Sequence, residues 1–150
     1  DPEFVLNQPQ YQGAGILVAG PNFGTGSSRE HAPWALEDYG FKAIISSRFA
    51  DIFRNNCLKI GLVPVTLGPE EVERIMRAVE ADPTIEIIID VPDLILRVPS
   101  LDMEEPFHLD DHHIHRLVHG LDDIGITEKF ADEITAFEAT RPTHLPRVGA

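Results

Sequence analysis

Cysteine, positive charge and long apolar runs are all scarce in this chain. Of its 150 residues only Cys57 is a cysteine. One thiol cannot close an internal disulfide, and it suits a reducing compartment, so the expected location is cytoplasmic. Twelve Lys and Arg stand against twenty-five Asp and Glu, a net charge of −13. An acidic surface repels phosphate backbones and anionic lipid, which argues for no nucleic acid and no membrane as partners. No stretch approaches the roughly 18 consecutive apolar residues of a membrane span. The first lysine is Lys42, so the N-terminal stretch cannot carry the Gly-Lys-Ser/Thr of a nucleotide phosphate loop.

The most informative segment is Gly20-Pro21-Asn22-Phe23-Gly24-Thr25-Gly26-Ser27-Ser28-Arg29-Glu30-His31-Ala32. It follows the apolar run Ile16 to Ala19 and precedes helical spacing, so glycines and hydroxyls fall where a strand ends and a helix begins. Gly24 and Gly26 admit backbone angles closed to other residues and allow a ligand close to the main chain. Helix N-terminal N–H groups favour an anion there, and Arg29 supplies a planar fork suited to carboxylate or phosphate. A plain helix cap at Ser27 or Ser28 is the simplest reading, but a cap alone does not call for two glycines. A dinucleotide fingerprint fails, because Arg29 stands where the third glycine belongs.

The rest of the chain reads as one domain over 1–150, with 1–13 an irregular lead-in and 141–150 a loose tail. Strands are expected at Gly15 to Ala19, Ala43 to Ser46 and Leu62 to Leu67, the last either at an edge or bulged there because of Pro64. Helices are expected at Glu30 to Tyr39, Arg48 to Lys59 and Pro69 to Glu80. The second carries Phe49, Ile52, Phe53 and Cys57 on one inward stripe, Cys57 as a small core residue; Trp34 is read as packing and His31 as a first-turn residue. This alternation favours a parallel sheet. Beyond Ala81, Ile85, Ile87 and Ile89 alternate, Leu94 to Val98 returns, and Glu104 to Leu109 adds a third extended piece. The expected fold is therefore α/β: a single three-layer β/β/α domain with a mainly parallel sheet and a smaller antiparallel sheet.

A helix at Asp110 to His119 holds His112, His113, His115 and His119. His115 and His119 share a face, but a histidine cluster on an exposed helix is weak grounds for a metal site, and none is assigned. A last helix at Thr127 to Thr140 should turn Phe130, Ile134 and Phe137 to the core. Arg48, at a second strand-to-helix junction, is either an additional lining residue of the anion site or a surface ion pair.

Asn22 to Ala32, with Ala43-Ile44-Ile45-Ser46-Ser47-Arg48-Phe49-Ala50-Asp51-Ile52-Phe53 after it, resembles the signature of the aconitase-superfamily swivel domain. Gly120-Leu121-Asp122-Asp123-Ile124-Gly125-Ile126-Thr127 resembles a stretch of 3-isopropylmalate dehydratase small subunits, which act in leucine biosynthesis. The resemblance runs from about Asp1 to Glu138. It implies a hydro-lyase that moves a hydroxyl between neighbouring carbons of a branched dicarboxylic acid. Ser27 would be the base that takes the carbon-bound proton. Arg29 would bind a substrate carboxylate, with Ser28 and Gly26 helping to hold the substrate. It also implies a [4Fe-4S] cluster held by three cysteines. This chain has one, so the cluster is expected on a large partner subunit and no cofactor in this chain. The family's small subunits begin with a further segment that recognises substrate; nothing like it precedes Val5, and the start at Asp1 is read as processing or truncation. Related acids, of homoaconitate, citraconate or dimethylmalate type, remain alternatives, as does a non-catalytic anion-binding module.

Overall fold

Strands β1 (Ile16–Val18), β2 (Ala43–Ser46) and β3 (Val63–Thr66) pair in parallel in that order. The computed structural model describes residues 1–26 and 29–142. Their contacts fall into two units, Asp1–Gly120 and a second from Leu121 on.

Within the first unit β2 is the middle strand and is buried at all four residues. Successive side chains of a strand point to opposite faces, and here the faces have different partners. Ile44 packs with Phe41, Phe53, Cys57 and Leu62, while Ile45 packs with Val65, Val72, Ile75, Leu96 and Val98. Helices α1 (His31–Tyr39) and α2 (Asp51–Ile60) therefore cover one face. Helix α3 (Pro69–Ala81) and a second sheet cover the other. In α3, Val72 and Ile75 are buried with Met76 and Val79 beside them, the inward stripe its spacing dictates. Pro64 sits on β3, an edge strand, where its missing N–H costs no ladder bond.

The second sheet is antiparallel, β4 (Ile88–Asp90), β5 (Ile95–Val98) and β6 (Met103–Pro106), in the order β4-β5-β6. The arrangement is α/β with one parallel and one antiparallel sheet, as expected, although the two sheets have equal strand numbers. Arg97 on β5 lies opposite Glu104 on β6 and donates to its carboxylate at 2.8 Å, a cross-strand pair that helps hold register. Helix α4 (Asp111–His119) closes the unit, ending at Gly120 in the left-handed region, φ +62°.

Several expectations are corrected. Helix α2 begins at Asp51 rather than Arg48, because residues 46–50 are used to tie two loops together. Its buried residues are Phe53, Asn56, Cys57 and Leu58; Ile52 lies on the flank and is 54% exposed. Trp34 is exposed and meets the His31 ring edge-on at 5.1 Å, while Pro33 is the buried residue of α1. The lead-in forms two short 3-10 turns, Val5–Asn7 and Pro9–Tyr11, and the Tyr39 hydroxyl donates to the Leu6 carbonyl at 2.7 Å.

The second unit holds two helices where one was expected, α5 (Asp123–Glu128) and α6 (Ala131–Thr140). Asp122 caps α5 by accepting the Gly125 N–H at 2.7 Å. No residue of either helix is buried, and Phe130, Ile134 and Phe137 are exposed rather than in a core. Spacing of i, i+4, i+7 places side chains on one face but says nothing of what covers it. From residue 143 on, the expected tail lies outside the described residues.

Ile75 is fully buried where α3 meets both sheets. Ile75→Ala should lower unfolding free energy by about 2–5 kcal/mol in a urea titration. Met76→Ala, half-buried at the rim, should cost less.

Candidate functional site

Two loops leave the same end of the parallel sheet, one after β1 and one after β2. Pairing continues past the strands: Ala19 N–H donates to the Ile45 carbonyl at 2.9 Å. Phe23 N–H then donates to the Arg48 carbonyl at 3.1 Å, and Ala50 N–H to the Phe23 carbonyl at 3.0 Å, an isolated parallel bridge between Phe23 and Phe49. The glycine loop is thereby fastened to the start of α2.

The loop's conformation depends on its glycines in two different ways. Gly24 has φ +81°, and a Cβ there would lie 2.1 Å from Cγ of Phe53. No side chain fits, because the Phe53 ring lies directly against the backbone. That ring is edge-on to Phe23 at 5.4 Å and stacked with Phe49 at 6.4 Å, so three phenylalanines form the floor of the loop. Gly26 has φ +90° but open space where a Cβ would be; it answers to backbone angle alone. Between them Thr25 folds back, its N–H and hydroxyl both donating to the Asn22 carbonyl, at 3.2 and 2.5 Å.

Of the residues assigned from sequence, Gly26 and Arg29 lie on this loop and Arg29 is exposed. Ser27 and Ser28 lie outside the described residues. The cap position of α1 falls on Glu30, in helical conformation and without a side-chain cap bond of its own. Arg48 is brought beside the glycine loop through its backbone, and its side chain is exposed.

Ser46 is the residue that sequence reasoning missed. It is fully buried at the end of β2. Its hydroxyl lies 2.8 Å from the Gly20 carbonyl and 3.0 Å from that of Arg48, and accepts the Arg48 N–H at 3.3 Å. The one available signal was a hydroxyl at the end of the apolar run Ala43 to Ile45, where a buried polar group must find partners.

Metal chemistry finds little support among the described residues. Burial pushes the Cys57 thiol up to about 12, against a smaller opposing backbone hydrogen bond, so it stays protonated and is a poor ligand. A single buried thiol does not fit an iron–sulfur cluster. The His115 and His119 rings stack at 4.3 Å, with His119 Nδ1 2.9 Å from the His115 carbonyl, which places a proton on that nitrogen. His113 Nδ1 is buried with no hydrogen-bond partner among the described residues. Desolvation holds its pKa below the ordinary histidine value, helped by His112, Arg54 and Arg116 and opposed by Asp110. No group of three or more His, Cys, Asp or Glu among the described residues is arranged to hold a metal ion.

The Aconitase C-terminal domain family matches residues 1–70. The 3-isopropylmalate dehydratase small subunit of Parafrankia sp. (strain EAN1pec) is 56% identical over 146 residues, 97% of this chain and 74% of that protein. The small subunit of Acidothermus cellulolyticus is 53% identical over 150 residues, 100% of this chain and 75% of that one. Among solved structures, 3-isopropylmalate dehydratase from Methanocaldococcus jannaschii is similar with a TM-score of 0.61 at 26% identity, covering 81% of this chain and 66% of that chain.

The two glycines should respond differently to alanine. Gly24→Ala combines a positive φ with a collision against Phe53 and should cost about 3 kcal/mol or more by chemical denaturation. Gly26→Ala, strained but unobstructed, should cost about 1–2 kcal/mol. Cys57 should resist a thiol reagent at pH 8 in the folded chain and react only on unfolding; rapid labelling of the native chain would contradict its burial.

Proposed function

The chain belongs to the 3-isopropylmalate dehydratase small-subunit family, and from that premise we propose that it is the small subunit of a two-chain hydro-lyase interconverting 2-isopropylmalate and 3-isopropylmalate. Its setting is the leucine pathway of the cytoplasm, and it works only with a large subunit. Among its own features, the one that carries the reading is the loop after β1, where Gly24 and Gly26 hold positive φ just ahead of Ser27, Ser28 and Arg29.

In this reading Ser27 takes the proton from the carbon next to the hydroxyl-bearing one. The carbon–hydrogen electrons form the double bond, and the hydroxyl departs as water with a proton supplied by an acid group of the large subunit. Readdition of water in the opposite sense gives the isomer: the acid group recovers its proton from the adding water, and Ser27 returns its own to carbon. A neutral serine is a weak base, so its oxygen needs nearby donors and positive charge. Arg29 supplies charge and a bidentate grip on a substrate carboxylate, and Ser28 and Gly26 complete the binding loop. A net charge of −13 makes this local cation important, since the protein's overall field opposes a dianion. The iron–sulfur cluster is assigned to the large subunit, because the cysteine of this chain does not fit it.

The test is reconstitution with the cognate large subunit and a panel of branched malate analogues, following isomer formation. Wild-type complex should turn over isopropylmalate in preference to homologous acids. Ser27→Ala should assemble yet lose about 100-fold or more in kcat, and Arg29→Ala should raise KM by about tenfold or more. A Ser27→Ala complex with wild-type turnover would refute the proton-transfer role.

A further inference from the structure

We propose that Ser46 is a positioning residue for the candidate site: its buried hydroxyl locks the loop after β1 to the loop after β2, and turnover depends on that lock. The inference rests on the functional reading above for its catalytic part, but not for its structural part.

Three observations support it. First, Ser46 is fully buried in the middle strand, among residues that are otherwise apolar. An alanine would satisfy packing there, so the hydroxyl requires another reason. Second, its partners are not on its own strand pair. The oxygen reaches Gly20 at 2.8 Å, where the glycine loop begins, and both the carbonyl and the N–H of Arg48 at 3.0 and 3.3 Å. Third, the Ser46 carbonyl accepts the Leu67 N–H at 3.3 Å. One residue thus ties the ends of all three parallel strands.

The lock acts alongside two other restraints. The Phe23–Phe49 bridge fastens the loops by backbone, and Phe53 presses on Gly24. The Ser46 hydroxyl differs from both in standing at the root of the glycine loop, before its first turn. Without it the Gly20 carbonyl and the Arg48 N–H lose a buried partner, and both loop roots gain freedom. Proton abstraction requires close alignment of reacting atoms, whereas charge attraction to a carboxylate tolerates displacement. The loss should therefore appear mainly in kcat.

The experiment has two arms, each run on Ser46→Ala and on Ser46→Cys, which keeps volume while exchanging the O–H for a weak donor. In the full chain alone, amide hydrogen exchange should be about tenfold or more faster at Phe23 and Ala50, with the β2–β3 ladder unchanged. In the reconstituted complex, kcat should fall about 10- to 100-fold while KM changes by no more than about threefold. Wild-type exchange at Phe23 and Ala50 in a folded variant overturns the lock. Faster exchange with wild-type kcat overturns its bearing on turnover. If the wild-type complex is inactive on every acid tried, the functional reading fails, and the exchange arm still decides whether Ser46 holds the loops. If the alanine variant does not fold, the cysteine variant carries both arms.

Discussion

The middle strand of the parallel sheet has no exposed face, and the rest of the structure is arranged around that constraint. Because Ala43–Ser46 is buried throughout, both faces must be covered by apolar surface. Alternation sends Ile44 to the α1–α2 side and Ile45 to the α3 and antiparallel-sheet side. The same burial makes the end of the strand costly for a polar group without partners. Ser46 sits there, and its hydroxyl finds the carbonyl of one loop and the main chain of the other. A packing requirement of the core is thereby converted into a fixed relation between the two loops that frame the candidate site.

That conversion explains why the loop can be rich in glycine and still be held in place. Glycine loses the most conformational freedom on ordering, so a glycine loop stays in one form only when its surroundings determine it. Here the floor is aromatic. Phe53 occupies the space where a Gly24 side chain would be, and Phe23 and Phe49 flank it. The buried bridge and hydroxyl hold the root, and Gly26, with open space above it, leaves the backbone approachable.

Much of this was legible in the sequence, and the gaps have physical causes. Apolar runs, glycine stops and the Pro69 start gave the order of strands and helices, because those signals are local. The special nature of Gly24 and Gly26 was legible as well. Which of them is fixed by a neighbour was not, because Phe53 meets Gly24 only after α2 has docked. Ser46 was read as an ordinary strand residue for the same reason: its partners lie 26 positions before it and two after it. Helical spacing puts Ile52 on the inward stripe of α2, and Trp34 reads as packing, yet both are exposed. Phe130, Ile134 and Phe137 show the complementary limit, since their spacing defines a face whether or not anything packs upon it.

The single thiol and the cluster of histidines bear on what this chain can contribute to chemistry. Burial that raises Cys57 to about 12 also removes it from solvent, so it contributes volume to the α2 side of the core rather than reactivity. Desolvation disfavours the charged form of His113 and lowers its pKa from the ordinary histidine value. Its folded-state pKa lies below the unfolded one, so the unfolded chain binds the extra proton first. Its contribution to stability is present above the ordinary histidine pKa and is lost as pH falls through the window beneath it. Both groups belong to the structure. What the sequence of this chain offers to chemistry is then the serine pair and Arg29, which in the proposed reading suits a role of presenting and aligning rather than of activating the leaving group. Under the two-chain reading proposed above, stiffness at the loop root would be an advantage, because this chain's geometry would have to be correct before a companion subunit brought the remaining groups to the substrate.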